Sequence, residues 1–93
     1  MTMPGTPIIT VLYFAAASTA TGMTVEQVPL PSHEPLSLSS LSELLVSRHP
    51  GKGLDKVLAS SQWSVDEEMV DEPEKVVLKG GEEIAVICPV SGG

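Results

Sequence analysis

The sequence predicts an α+β fold in which one mixed five-stranded sheet wraps around a single main helix. Three observations predict it: apolar runs rich in β-branched residues near both ends, one clear helix pattern between them, and Gly- or Pro-containing breaks elsewhere. A chain of 93 residues is enough for one domain. Aromatic residues make up only 3% of the chain, so we expect an aliphatic core.

The first strand is predicted over residues 7–14, where both alternating faces are apolar, and it is therefore expected at the centre of the sheet. The run 8–17 loosely resembles the apolar part of a secretory signal. No Lys or Arg precedes it, however, and it is too short to span a bilayer, so a buried strand is the better interpretation. A loop is predicted over 15–23. A second strand is predicted over 24–30, forming a hairpin with the first, and Pro29 and Pro31 either confine it to an edge of the sheet or end it.

The main helix is predicted to begin at Ser40, after a connecting loop over 31–39. Ser40 and Glu43 match a capping box, in which each side chain satisfies a free backbone N–H of the other residue. The apolar face and the basic last turn are formed by Leu41, Leu44, Leu45, Arg48 and His49. Pro50 and Gly51 end the helix. A second short helix is predicted over 54–60.

The last third of the chain is predicted to consist of short strands. They cover 62–65, 69–70, 76–78 and 83–88, with an acidic turn at 66–68 and a Gly-Gly turn at 80–81. Because the first and last strands are both apolar on two faces, we expect them side by side and parallel. This is the β-grasp arrangement of ubiquitin-like proteins. We divide the chain into a disordered N-terminus (1–7), a β-grasp domain (8–88) and a flexible tail (89–93).

The acidic balance of the chain restricts its partners. The net charge of −7 repels phosphate backbones, so we expect no nucleic-acid partner, whereas a basic protein surface is favoured. Eight of the 12 acidic residues lie within 66–83, and the last ten residues carry no charged side chain. A single cysteine allows no intrachain disulfide, and together with the absence of a membrane segment it predicts a cytosolic protein.

The sequence lacks the usual catalytic and metal-binding patterns. His33 and His49 have no Cys or His partner at metal-ligand spacing, and Gly51-Lys52-Gly53 lacks the first Gly of a phosphate-binding loop, so we predict no metal site. Two interpretations of Cys88 stay open: a small hydrophobic residue at a strand end, or a sulfur-donor or thioester residue near the tail.

The strongest functional feature is the pair Gly92-Gly93. A carboxylate is a poor electrophile and must be activated, for example as an acyl adenylate. A chain end without Cβ atoms can enter a narrow nucleotide site in many backbone conformations. Residues 89–93, when extended, reach at most about 17 Å from the domain, far enough to enter a partner's pocket.

Several segments resemble the small, sulfur-carrier subunits of molybdopterin synthase. The ending E-I-A-V-I-C-P-V-S-G-G over 83–93 is similar to the family's E-V-A-x-x-P-P-[VI]-[STA]-G-G. Weaker matches are L-K-G-G-E-E at 78–83, S-V-D-E-E-M-V at 64–70, S-L-S-E-L at 40–44, and L-Y-F-A at 12–15 followed by Gly22. The chain departs from the family at Cys88, where Pro is usual, at Asp66, where Asn is usual, at Glu82, where Asp is usual, and over 16–21, which lacks charged residues.

The resemblance implies a sulfur-donor subunit that is not an enzyme on its own. A separate adenylating and sulfurtransferase enzyme, using ATP and Mg²⁺, would activate Gly93 as a glycyl adenylate and then convert it to a thiocarboxylate. The sulfur would pass to cyclic pyranopterin monophosphate, forming the dithiolene of molybdopterin for molybdenum cofactor synthesis. No permanently bound cofactor is implied.

The resemblance also implies a partner, a large catalytic subunit, in a heterotetramer of two small and two large subunits. The tail residues that would enter the large subunit are Pro89, Val90, Ser91, Gly92 and Gly93. For Phe14 and Ile87 two roles stay open, the interface with the large subunit or the core.

Three other functions stay open at the level of sequence. One is a related sulfur carrier for tRNA thiolation or thiamine synthesis, and another is a ubiquitin-like modifier conjugated to lysines. The third is an acidic interaction domain whose tail is inert. The Pro-Val-Ser that precedes Gly-Gly favours the molybdopterin synthase carrier.

Overall fold

The computed structural model describes residues 7–31 and 34–88, and the predicted α+β class is confirmed there. Residues 1–6, 32–33 and 89–93 lie outside the described part, so the predicted N-terminal segment and tail stay predictions. In chain order the elements are β1 Ile8–Tyr13, α1 Ala16–Thr21, β2 Val25–Pro29, β3 Leu36–Ser37, α2 Leu38–Arg48, α3 Leu54–Ala59, β4 Gln62–Val65, β5 Glu68–Val70, a 3₁₀ turn Pro73–Lys75, β6 Val77–Leu78 and β7 Glu83–Ile87.

The main sheet has five strands in the order β2-β1-β7-β4-β5. The predicted parallel pairing of the first and last strands is confirmed, because β1 pairs with β7 in parallel and Leu12 lies opposite Ala85. β2 and β4 flank this pair in antiparallel orientation. One face of the two central strands lies wholly in the core through Ile9, Val11, Tyr13, Ile84 and Val86.

Helix α2 packs on that buried face, but it begins before the predicted residue. Its N-cap is Ser37, whose Oγ accepts a hydrogen bond from the Ser40 amide at 3.2 Å, so the prediction that Ser40 opens the helix is wrong. The reason is that Leu38 is fully buried and extends the apolar face formed by Leu41 and Leu45 by one turn. A start at Ser40 would leave Leu38 outside the helix.

The prediction of a loop over 31–39 is also wrong, because β3 lies within it. β3 pairs antiparallel with β6 in a separate two-stranded sheet, so the predicted strand over 76–78 does not join the main sheet. The Leu38 amide donates to the Val76 carbonyl at 2.8 Å, and Leu78 is fully buried. The small sheet thus fastens the start of α2 to the chain that leads into β7.

A short helix, α1, replaces the loop predicted over 15–23. It is built from small residues, and of these Ala17 is fully buried. It ends at Gly22, which has φ of 74° and donates to the Ser18 carbonyl at 2.8 Å. The other short helix, α3, follows the prediction closely and buries Leu54 and Leu58.

The predicted Gly-Gly turn leads into β7. Gly80 has φ of +125°, and a Cβ at this position would lie 2.7 Å from the Cβ of Pro7, so only glycine fits. The Glu82 carboxylate accepts hydrogen bonds from the Lys79 amide at 2.9 Å and the Gly80 amide at 2.7 Å. The turn therefore fixes where β7 begins beside β1.

Candidate functional site at the end of the central strands

The C-terminal ends of β1 and β7 meet at one edge of the sheet, because the two strands are parallel. The Cys88 thiol donates to the Phe14 carbonyl at 3.3 Å, and the Ser61 hydroxyl donates to the Cys88 sulfur at 3.6 Å. Ile87 lies opposite Gln62, at the start of β4. The last described residue is thus held between the end of β1 and the start of β4.

The sheet face opposite the helices, which we call the open face, is apolar at this end. A row in register crosses all five strands through Val25, Leu12, Ala85, Ser64 and Met69. Val25 is 48% exposed and Met69 is 54% exposed. Leu12 and Ala85 between them are partly exposed, whereas Ser64 is polar and buried. The accessible apolar side chains of this row are typical of a surface that contacts a partner.

Phe14 and Ile87 lie at the same end of the sheet as the base of the tail. Phe14 is 50% exposed and Ile87 is half-buried, and neither belongs to the buried core. The interpretation of these two residues as core residues is therefore wrong for Phe14 and unsupported for Ile87. Their role in an interface stays a prediction.

The opposite end of the sheet is polar and acidic. On the open face, Thr10 and Gln27 form a side-chain hydrogen bond at 3.1 Å. The turn between β4 and β5 holds Asp66 at φ of 51° and Glu67 at φ of 72°, in the left-handed region that Asp and Asn adopt more readily than most residues. The Asp66 carboxylate accepts from the Glu83 amide at 2.9 Å. The end of the sheet away from the tail therefore carries these polar and acidic groups together with Ile8, which is 46% exposed, whereas the end beside the tail is mainly apolar.

A buried polar cluster, which the sequence analysis missed, lies between β1, β2 and the end of α2. The Glu26 carboxylate, only 8% exposed, accepts from the Tyr13 hydroxyl at 2.7 Å and from the Arg48 Nε at 2.7 Å. The His49 Nε2 lies 2.9 Å from Glu26. The only signal in the sequence was a charged residue at an inward position of an alternating strand.

The cluster shifts the acidities of two of its members. Burial by itself favours the neutral form of Glu26, but the hydrogen bonds from His49, Tyr13 and Arg48 outweigh it, so the pKa of this carboxyl lies below its ordinary value. Burial, aided by the hydrogen bond to Glu26, raises the pKa of Tyr13. These groups join β2 to the end of α2, and we assign them a structural role.

The remaining residues that the sequence analysis singled out are not among those that the structure describes. Pro89, Val90, Ser91, Gly92 and Gly93, together with His33, lie outside the described residues. Over 7–31 and 34–88, no group of three His, Cys, Asp or Glu side chains is arranged to hold a metal ion. None of the helices in those ranges is long and apolar enough to cross a membrane.

Comparison with known sequences gives consistent matches over nearly the whole chain. The ThiS family model matches residues 11–93. A molybdopterin synthase sulfur carrier subunit from Mycosarcoma maydis is 42% identical over 91 residues, covering 96% of this chain and 97% of its own length. The subunit of the same description from Homo sapiens is 36% identical over 86 residues, covering 91% of this chain and 93% of its own length.

Solved structures share the fold. The complex of subunits 1 and 2 of the molybdopterin-converting factor from Helicobacter pylori contains a chain that matches with a TM-score of 0.61 and 19% identity, over 92% of this chain and 99% of that one. The small archaeal modifier protein 1 of Methanosarcina acetivorans matches with a TM-score of 0.73 and 20% identity, over 94% of this chain and 97% of that one. At such identities these likenesses concern the fold alone.

Proposed function

The chain belongs to the ThiS family, and we propose that it works there as the sulfur carrier subunit of molybdopterin synthase. In this proposal the chain is the sulfur donor and a larger subunit performs the catalysis. The identity to carriers of that description, which extends over nearly the whole length of both chains, supports the assignment.

The reacting atom in this proposal is at Gly93. A separate enzyme adenylates its carboxylate with ATP and Mg²⁺ and releases pyrophosphate. The outer sulfur of a persulfide on the sulfurtransferase then displaces AMP to form an acyl disulfide, and a second thiol of that enzyme attacks the S–S bond, which releases the thiocarboxylate and leaves a disulfide on the enzyme. This group is a soft nucleophile at neutral pH, able to attack cyclic pyranopterin monophosphate. Pro89, Val90, Ser91 and Gly92 would carry it into the large subunit.

The observation that carries the proposal is the apolar end of the open face beside the base of the tail. Phe14 is half exposed and its carbonyl is bonded to Cys88, the last described residue before the tail. A partner that covers this end therefore lies next to the point where the tail leaves the sheet. We propose that the large subunit docks here through Phe14 and Ile87, in a heterotetramer of two small and two large subunits.

The direct test is the intact mass of the protein purified from cells in which molybdenum cofactor is made. We expect a gain of about 16 Da on the C-terminal peptide, because sulfur replaces one oxygen at Gly93. Fragmentation must place the gain on Gly93, since oxidation of Met or of Cys88 adds nearly the same mass. A variant lacking Gly93 is the control and is expected to show no such gain.

Two results would contradict the proposal. An unmodified terminus after incubation with the activating enzyme, ATP and a sulfur donor would exclude the carrier mechanism. Isopeptide-linked adducts on other proteins that vanish in the variant lacking Gly93, without any thiocarboxylate, would instead indicate a protein modifier.

A further inference from the structure

A groove on the helix side of the sheet lies between α2, α3 and the 3₁₀ turn. Its volume is about 580 Å³, which is within the range of ligand-binding clefts. The floor is apolar: Leu58 and Trp63 are each 6% exposed there, above the fully buried Leu38. Val46 and Ala59 add apolar contact area at its sides.

Serine side chains on the α2 wall of the groove have hydrogen-bond partners within the chain. The Ser42 hydroxyl donates to the Ser39 carbonyl at 2.9 Å, and the Ser47 hydroxyl donates to the Leu44 carbonyl at 2.7 Å. The Ser39 hydroxyl lies 3.1 Å from that of Ser37. Because these groups are already paired, the wall favours an occupant with an apolar body over a strongly polar one.

The rim of the groove is acidic on all three sides. Glu43 from α2, Asp55 from α3 and Glu74 from the 3₁₀ turn are all exposed there. Among the described residues that line the groove, none is Lys, Arg or His. The negative potential of the rim therefore complements an occupant with positive charges on either side of its apolar part.

We propose that this groove docks a segment of a partner protein in which apolar side chains are flanked by Lys or Arg. A second copy of this chain is a poor occupant, since it carries only 5 Lys and Arg residues and a net charge of −7. Nucleic acid is repelled by the same rim. Since the groove and the open face lie on opposite sides of the sheet, this segment leaves the open face accessible to another partner.

The proposal is tested by titrating the ¹⁵N-labelled full chain with the peptide acetyl-Lys-Leu-Phe-Leu-Lys-amide and following the NMR shifts. We expect saturable shifts at Ser42, Val46, Ala59 and the Trp63 indole, with a dissociation constant below about 1 mM. The double variant Glu43→Lys, Asp55→Lys is expected to bind at least about fivefold more weakly. The variant Glu67→Lys, Glu68→Lys has the same net charge but is altered at the β4–β5 turn, and it should bind like the unmodified chain.

Three kinds of outcome would overturn the proposal. One is equally tight binding of acetyl-Lys-Ser-Gly-Ser-Lys-amide, which would indicate charge attraction without use of the apolar floor. Another is equal weakening in both double variants, or shifts that lie on the open face rather than in the groove. The third is the absence of saturable shifts at about 2 mM peptide. A well-dispersed spectrum of each variant establishes that it is folded.

Discussion

Glu26 shows how one buried carboxylate can connect distant parts of the chain. It lies in β2, yet its three partners come from β1 and from the end of α2. A buried charge is costly unless it is fully hydrogen bonded, and every buried side-chain polar atom of the described residues has a partner. The stabilising contribution of the cluster therefore depends on the Glu26 carboxyl group remaining ionised.

We expect Glu26→Gln to lower the free energy of unfolding at pH 7 by about 2–3 kcal/mol. The neutral Gln side chain cannot replace the charged carboxylate that accepts hydrogen bonds from Arg48 and His49. The pKa of Glu26 lies below its ordinary value in the folded state. The stabilising contribution is therefore present above the unfolded-state pKa and is lost as the pH falls through the folded-state pKa. The difference between the two proteins should shrink below about pH 4, as measured by urea unfolding.

Glu72→Gln is the matched control for this comparison. Glu72 pairs with Lys75 at 3.1 Å, but both side chains are largely exposed, so its loss should cost at most about 0.5 kcal/mol. An equal cost for both substitutions, or a Glu26→Gln deficit that persists unchanged at low pH, would show that the charge of Glu26 is not what stabilises the cluster.

At the scale of the elements, the sequence offers two similar candidates for the N-cap of α2, and the structure uses Ser37. Both Ser37 and Ser40 precede apolar residues, and only Ser40 has Glu three positions later. Burial decides between them, because Leu38 must face the core. The same dependence on tertiary contacts explains why β3, with two residues, has no detectable period, and why α1, made of Ala, Ser and Thr, has no apolar stripe.

Ser37→Ala should destabilise the protein by about 1 kcal/mol, because the Ser40 amide loses its acceptor. Ser40→Ala should change the stability by no more than about 0.3 kcal/mol, since Ser40 lies within the helix and Ala is the better helix former. Urea unfolding measures the stability of the two variants. A larger loss of stability for Ser40→Ala than for Ser37→Ala would support Ser40 as the N-cap, as the sequence predicted.

At the scale of the whole molecule, the long apolar strands were the most predictable part. Apolar residues on both faces of β1 and β7 predicted the central parallel pair, and the pairing is confirmed, although only one face of these strands is covered by the helices. The apolar end of the open face was not predictable in the same way. It arises only when Val25, Leu12, Ala85, Ser64 and Met69, from five strands, come into register.

Phe14→Asp is expected to weaken binding to the large synthase subunit about 30-fold, since an exposed aromatic anchor would be replaced by a charge in the buried part of the interface. Isothermal titration calorimetry measures this effect. Val77→Asp is the control, because Val77 is 49% exposed, close to the 50% of Phe14, but lies on the separate two-stranded sheet. Similar losses in both variants, or none in either, would argue against docking at the open face.

The position of β7 also has a mechanical consequence. β7 is hydrogen bonded to β1 on one side and to β4 on the other. A force applied along β7 from its C-terminal end loads both ladders in shear, so their bonds must yield together, whereas an edge strand can be peeled away one bond at a time. We therefore expect the sheet to resist unfolding when a partner bound to the C-terminal end of the chain exerts force along β7.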